Sequence, residues 1–248
     1  MDGDTAMALL EETATAIGAA LGGLADWGLA GTIPGQHHSD LAADEAALAV
    51  LLDAGVGVLS EESGRHEPDR PVTVVVDPLD GSTNASRGVP WYATSLCAVD
   101  DAGPFAALVV NIPTGARFTA VRGGGAFCDG KGVSPSNRSD LRRSLVALSG
   151  FPPRRLGWKQ YRALGAAALD LCAVAAGVVD AYIDCSSSAH GPWDYLGALL
   201  LCTEAGAVMA DAEGRDLVVL DHDARRTPVA AATRPLFEEV LAARRSFQ

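Results

Sequence analysis

Val72-Thr73-Val74-Val75-Val76-Asp77-Pro78-Leu79-Asp80-Gly81-Ser82-Thr83-Asn84 decides the reading of this 248-residue chain. The first five residues are apolar or β-branched and read as a strand buried on both faces. That strand runs straight into two carboxylates separated by a Pro-Leu turn, with a glycine and two hydroxyls behind them. Unpaired buried carboxylates are costly, so acids delivered there need cations. Hard oxygen ligands on a rigid turn favour Mg²⁺, Mn²⁺ or Ca²⁺ over zinc.

Two further acidic stations lie at the ends of predicted elements. Glu61-Glu62 follows a short strand over 56–59. Asp194 lies in His190-Gly191-Pro192-Trp193-Asp194-Tyr195, which opens a helix. Taken singly, Glu61-Glu62 reads as a solvated loop, Asp194 as a helix cap and Asp80-Gly81 as a common turn. The strand that delivers Asp77 and Asp80 has no comparably simple structural explanation.

Outward from this centre the pattern is mixed. An Ala/Leu-rich stretch over 5–24 predicts a helix, and a Gly/Pro/His loop follows over 31–38. Ser39 offers an N-cap for a second helix over 41–54. After the acidic turn, strands over 93–99, 105–111 and 117–121 are separated by turn residues and form an antiparallel meander. Gly123-Gly124-Gly125-Ala126-Phe127 reads as a tight turn. A loop rich in Gly, Ser and Pro over 130–137 divides an N-terminal α+β subdomain, 1–130, from a C-terminal α/β subdomain, 131–248. The second part alternates: strand 144–149, helix 161–176, strand 178–184, helix 195–205, strands 208–211 and 229–233, and a closing helix 235–245. Mixed sheets layered with helices follow.

Composition narrows the function classes. The formal net charge is −12, with 48% hydrophobic and 20% charged residues. With no cationic cluster expected, nucleic acid and anionic membrane are excluded as main partners. An acidic protein that handles an anionic substrate needs metal ions to reverse the local field. No apolar run reaches the length of a membrane span, and the acidic start Met1-Asp2-Gly3-Asp4 lacks the positive region of a secretory signal. Five cysteines without a CxxC pair fit a reducing compartment, the cytoplasm.

The octapeptide from Asp77 to Asn84 resembles the first signature of the inositol monophosphatase family, Mg²⁺-dependent, lithium-sensitive phosphomonoesterases related to fructose-1,6-bisphosphatases. Trp193-Asp194-Tyr195-Leu196-Gly197-Ala198 with Glu204-Ala205-Gly206-Ala207 resembles the second, and Ser60-Glu61-Glu62-Ser63 the family's Glu-Glu element. Order and spacing agree, and the likeness extends through Gly123–Phe127 and Asp180-Ala181-Tyr182. The resemblance implies an α+β fold, a layered αβαβα sandwich, and a homodimer. It implies that Glu61, Asp77 and the Leu79 carbonyl hold one Mg²⁺, and that Asp77, Asp80 and Asp194 hold a second. A third, weaker Mg²⁺ would use Glu61 and water, and Mn²⁺ could substitute. Glu61, Ser82 and Asp80 form the implied catalytic set, with Ser82 and Glu61 orienting the attacking water. Gly81, Ser82, Gly165, Ala166, Ala167, Asp184 and Asp194 are the implied substrate contacts. The chemistry suits a phosphomonoester, whose dianion repels an attacking water until divalent cations cancel that repulsion. A glycine at 81 would let the backbone approach the phosphate, and Ser82 keeps the hydroxyl that the family more often draws from Thr.

The expected activity is therefore hydrolysis of a small polyol or sugar phosphate, inositol monophosphate first. Alternatives are histidinol phosphate, fructose 1,6-bisphosphate, 3′-phosphoadenosine 5′-phosphate or a sugar phosphate of secondary metabolism. A rival of another class is a non-catalytic regulatory protein on the same fold. Two departures from the family pattern motivate these rivals. A lysine common in the loop before the second helix is absent from 34–44, and the Ser-rich segment 185–190 is long. His37, His38 and His190 offer substrate contacts, although solvated loop histidines are commoner.

Overall fold

The apolar run 72–76 lies near the middle of the larger of two sheets. The computed structural model describes residues 1–31 and 36–247; part of the Gly/Pro/His loop, 32–35, lies outside the described residues. The chain opens with α1 (Gly3–Gly22), capped by Asp2 accepting from the Thr5 N–H at 2.8 Å, and α2 (His38–Asp53). The strands β1 (Gly57–Ser60), β2 (Gly64–His66) and β3 (Thr73–Asp80) precede a short helix α3 (Ser82–Arg87). The meander follows as β4 (Ala93–Asp100), β5 (Gly103–Asn111), β6 (Arg117–Val121), β7 (Gly125–Cys128) and β8 (Lys131–Gly132). These eight strands form one sheet in the order β2-β1-β3-β4-β5-β6-β7-β8. It is antiparallel except where β1 runs parallel to β3.

The second sheet uses β9 (Leu145–Ser149), β10 (Gln160–Arg162), β11 (Ala181–Asp184), β12 (Val208–Asp211) and β13 (Pro228–Ala231), in the order β10-β9-β11-β13-β12. Helices α4 (Ala167–Ala175), α5 (Pro192–Ala205) and α6 (Arg234–Arg245) complete the chain. The α1–α2 pair covers the outer face of the first sheet; α4 and α5 fill the space between the sheets; α6 packs outside the second. This is the layered αβαβα arrangement. The middle layer explains the composition of α4: all nine of its residues are buried, so its apolar positions surround the axis. One core cluster joins Leu59, Val75 and Ala107 of the first sheet to Leu169, Leu196 and Tyr182 of the second half. We propose the division into subdomains 1–130 and 131–248; its boundary falls at the turn between β7 and β8, with β8 still paired to β7, and one core cluster spans both parts.

Three details depart from the sequence expectations. The second helix begins at His38 instead of Leu41, because the Asp40 carboxylate accepts from the His37 N–H at 2.7 Å and closes the first turn there. The helix expected over 161–176 is split. Tyr161 and Arg162 pair in parallel with Val146 and Ala147, and Gly165 at φ +85° breaks the chain before α4 begins. The strand expected from 178 begins only at Ala181, after a turn that leaves α4. Nor is the charge evenly spread. Residues 141–169 carry Arg142, Arg143, Arg154, Arg155, Lys159 and Arg162 with no carboxylate, a cationic cluster contrary to expectation.

Candidate active site

Parallel pairing places the first two acids side by side. Ser60 is in register with Val76, and the Glu61 N–H donates to the Val76 carbonyl at 3.1 Å. Glu61 therefore leaves β1 beside Asp77, and their carboxyl groups are in hydrogen-bonding contact. Asp77 and Asp80 are three residues apart, so a regular strand would direct them to opposite faces. The ladder to β4 shifts between them: Asp77 faces Ser95 and Asp80 faces Ala93, three steps against two. This bulge reverses the alternation and brings both carboxylates to one side. Pro78 has no N–H to contribute to the ladder, and its carbonyl accepts from the Thr94 hydroxyl at 2.9 Å.

The third acid arrives from the middle layer. Asp194 sits in the first turn of α5, where its carboxylate accepts from the Gly191 N–H at 2.7 Å and lies 3.4 Å from His190 Nδ1. Asp77, Asp80 and Asp194 each offer a ligand oxygen, and the three oxygens lie within 4.8 Å of one another. A cavity of about 380 Å³ opens over them, lined also by Gln36, Asp40, Glu61, Glu62, Leu79, Gly81 and Ser82. Among the described residues, six carboxylates and no basic side chain line it. Burial, followed by the charges of its neighbours, raises the carboxyl of Asp77 well above the ordinary range. Burial and then Asp194 push Asp80 to about 8, and burial and then Asp194 also raise Glu61. A cluster that resists its own ionisation and has no basic side chain on its cavity face among the described residues fits divalent metal.

Individual groups are fixed from behind. Asp77 accepts from the Leu79 N–H at 3.0 Å and Asp80 from the Ala168 N–H at 2.7 Å. Ser60 donates to Asp44, and Gln36 to Glu62. Gly81 stands at φ +88°, and a Cβ there would lie 3.1 Å from the Gly165 carbonyl oxygen and 3.2 Å from that of Trp91. The glycine is thus required by its protein neighbours as well as by the open face toward the cavity. Ser82, the first residue of α3, lines the cavity beside Asp80.

Other expected contacts lie outside the lining of this cavity. Gly165, Ala166 and Ala167 are not among the lining residues; Gly165 and Ala166 pack against Gly81. Asp184 is fully buried, and Oδ1 accepts from the Ser186 N–H and hydroxyl at 2.9 and 2.5 Å. It reaches the site only through His190, whose Nε2 is 3.8 Å from Asp184 and 3.0 Å from the Tyr182 hydroxyl. His190 is therefore a buried bridge between Asp184 and Asp194. Burial lowers its pKa, but Asp194 and Asp184 outweigh that and raise it to about 9. Neither His37 nor His38 lines the acidic cavity; His37 sits behind it with Nδ1 3.5 Å from Asp40 and lines a separate cavity with Trp27 and Thr83.

Sequence reasoning missed Asp40, Gln36 and His222 as neighbours of the site. His222 accepts no role from its local sequence, yet its ring lies 4.9 Å from Trp193 and its Nε2 is 3.1 Å from the Glu61 carbonyl. Asp170 was also missed. It accepts from Trp91 Nε1 at 3.0 Å, and burial raises it to about 7. Its signal was a single carboxylate within an otherwise apolar helix.

The family model for the inositol monophosphatase family matches residues 37–248. The chain belongs to that family. It is a phosphoric monoester hydrolase with the family's αβαβα fold. Relatives include a fructose-1,6-bisphosphatase/inositol-1-monophosphatase of Methanothermobacter thermautotrophicus, 34% identical over 82% of this chain and 80% of that one. The Nus factor SuhB of Salmonella typhimurium is 34% identical over 69% of this chain and 71% of its own. Among solved structures, a Pyrococcus horikoshii protein described as similar to inositol-1 monophosphatase superposes with a TM-score of 0.83 at 25% identity, covering 97% of this chain and 96% of that chain. SuhB of Bartonella henselae gives 0.80 at 26% identity over 97% and 98%. Among the described residues no helix is long and apolar enough to cross a membrane.

Proposed function

We propose that this family member hydrolyses a small polyol or sugar phosphate, with inositol monophosphate as the leading substrate, in a Mg²⁺-dependent reaction. The carrying observation is the convergence of Asp77, Asp80 and Asp194 within 4.8 Å beside Gly81 and Ser82. Asp77, Asp80 and Asp194 would hold metal, with Glu61 and the Leu79 carbonyl completing the set. Bound Mg²⁺ supplies charge neutralisation for the phosphate dianion and acidifies a water. The chain's own residues do the positioning. Glu61 and Ser82 take a water between them: the Ser82 hydroxyl accepts from it and donates onward to the carboxylate. The Gly81 and Ser82 N–H groups, at the start of α3, would donate to phosphate oxygens. The Leu79 N–H holds Asp77 and the Ala168 N–H holds Asp80 at fixed rotations, which is the preorganisation that charge stabilisation needs.

The name fructose-1,6-bisphosphatase carried by several relatives motivates a second substrate reading with the same chemistry. The name Nus factor SuhB motivates a regulatory reading, which the intact acid cluster disfavours. Phosphate release from inositol 1-phosphate, fructose 1,6-bisphosphate and histidinol phosphate, with Mg²⁺ and with EDTA, separates them. Inositol 1-phosphate is expected to lead in kcat/KM and EDTA to abolish turnover. A tenfold preference for another ester removes the inositol assignment, and no release from any ester supports the regulatory reading. We also infer a homodimer, from the family resemblance, which sedimentation checks. A cytoplasmic location is supported by five free cysteines, three of them buried.

A further inference from the structure

The acids of the site come from different layers: Glu61 leaves β1 in the first sheet, and Asp194 opens α5 between the sheets. The Glu61 N–H is held by the sheet, through the Val76 carbonyl. Its carbonyl lies one residue beyond Ser60, the last paired position of β1. There it is met by His222, whose Nε2 stands 3.1 Å away. A carbonyl oxygen only accepts, so Nε2 carries the proton and donates. The two peptide units that flank the Glu61 Cα are thus both pinned, one from each half of the chain. Together they set the direction in which the Glu61 side chain leaves the backbone.

The same imidazole lies on Trp193, the residue before Asp194, with ring centroids 4.9 Å apart and planes at 35°. Arg225 presses on Trp193 as well, its guanidinium carbon 5.1 Å from the ring centroid, and it donates to the His222 carbonyl at 2.7 Å. The segment 212–227 that carries both residues joins β12 to β13 and is fastened to the start of α5 at other points. The Tyr195 hydroxyl donates to the Leu217 carbonyl at 2.9 Å. His190 and Arg226 exchange backbone hydrogen bonds of 3.3 and 2.8 Å. Arg226 Nε donates to the Asp216 carbonyl at 2.6 Å. The segment is a strap held to the second half of the chain, and His222 carries it across to the first.

Satisfying a stray carbonyl would account for the hydrogen bond alone, and water at an open turn does as much. It does not account for the place of the contact. One end of the ring meets the peptide of the acid that β1 supplies, and its face meets the neighbour of the acid that α5 supplies. We propose that His222 is a positioning residue of the acidic site: it ties the Glu61 peptide to the start of α5, so that the Glu61 carboxylate keeps its place relative to Asp194. The inference rests on the proposed reading of Glu61 as a metal ligand. His222 touches neither metal nor substrate in it and acts only through Glu61.

Two variants separate the bond from the ring. His222→Phe keeps a ring on Trp193 and removes the donor; His222→Gln keeps a donor near the position of Nε2 and removes the ring. Calorimetric titration of the full chain with Mn²⁺ is the first readout, and kcat and KM for inositol 1-phosphate are the second. The Phe variant is expected to bind Mn²⁺ about tenfold more weakly and to lose about tenfold in kcat, with KM unchanged. The Gln variant should recover both. In a Glu61→Gln background His222→Phe should cause no further loss of Mn²⁺ affinity, whereas a general loosening of the fold would add its own. His222→Ala, again with Gln as the rescue, replaces the Phe variant if that folds poorly. Wild-type affinity and kcat in the Phe variant overturn the proposal. So do equal losses in the Phe and Gln variants, or a full further loss on Glu61→Gln. Mn²⁺ binding that weakens as expected in a protein that hydrolyses no ester removes the phosphatase reading and supports this one. A wild-type chain that binds no Mn²⁺ removes both.

Discussion

Asp80→Asn should stabilise the metal-free protein, and increasingly so as pH rises. Asp80 is buried, and burial followed by the Asp194 charge carries its carboxyl from 3.8 to about 8. An acid whose folded pKa exceeds its unfolded one holds its proton more tightly in the folded state. The penalty on the folded protein is therefore absent below about pH 4, grows with pH and levels off above about pH 8. A shift of about four pKa units corresponds to about 5–6 kcal/mol at ~1.4 kcal/mol per unit. Of this, about 4 kcal/mol accrues between roughly pH 5 and pH 9. Asparagine keeps an oxygen for the Ala168 N–H, 2.7 Å away in the native contact, and carries no charge at any of these pH values. For a chain of this size ~1 kcal/mol moves Tm by about 2–4 °C. The variant's advantage in EDTA should thus widen by roughly 8–16 °C from about pH 5 to pH 9. Magnesium should reverse the order, because metal that binds only the folded state stabilises it by mass action and the variant has lost a ligand. Differential scanning calorimetry at both pH values measures this. If the variant in EDTA melts at or below wild type at the higher pH, or if the gap is the same at both, the like-charge account of the cluster is wrong.

Gly81→Ala should cost about 2–3 kcal/mol, since it forces a Cβ at φ +88° to within 3.1 Å of the Gly165 carbonyl oxygen; an unchanged urea midpoint would contradict this. Ser82→Ala should lower kcat by ~10²-fold with metal affinity retained, and Ser82→Thr should restore it; equal rates for the two variants would remove the hydroxyl from the mechanism. Tyr182→Phe deletes the hydroxyl 3.0 Å from His190 and should cost about 1 kcal/mol, read as a Tm shift in metal-free protein. Titration with EDTA should abolish phosphate release, and Mg²⁺ should restore it; turnover that survives chelation would sink the metal requirement.

Much of the fold was legible because its signals are local. The meander over 93–121 alternates strand and turn chemistry, and the acidic octapeptide stands where a buried strand ends. The position of Asp194 was legible only through its motif, since its meeting with Asp77 depends on packing across some hundred residues. The bulge between Asp77 and Asp80 could not be read, because register is a relation between two strands and the sequence shows one. Residues 161–162 read as the start of a helix because they run into the Ala/Leu-rich stretch behind them; Tyr161 favours a strand, and pairing with β9 decides it. Asp184 looked like a pocket acid, and its burial against Ser186 became visible only once the chain was folded.

Helix α5 lies between the two sheets and brings the last acid to the site from near residue 194. A nascent chain has then emerged by more than three quarters of its length before all the proposed ligands exist together. Metal uptake, if the acids bind as proposed, would then report completed assembly, because a chain without α5 lacks Asp194 among its donors.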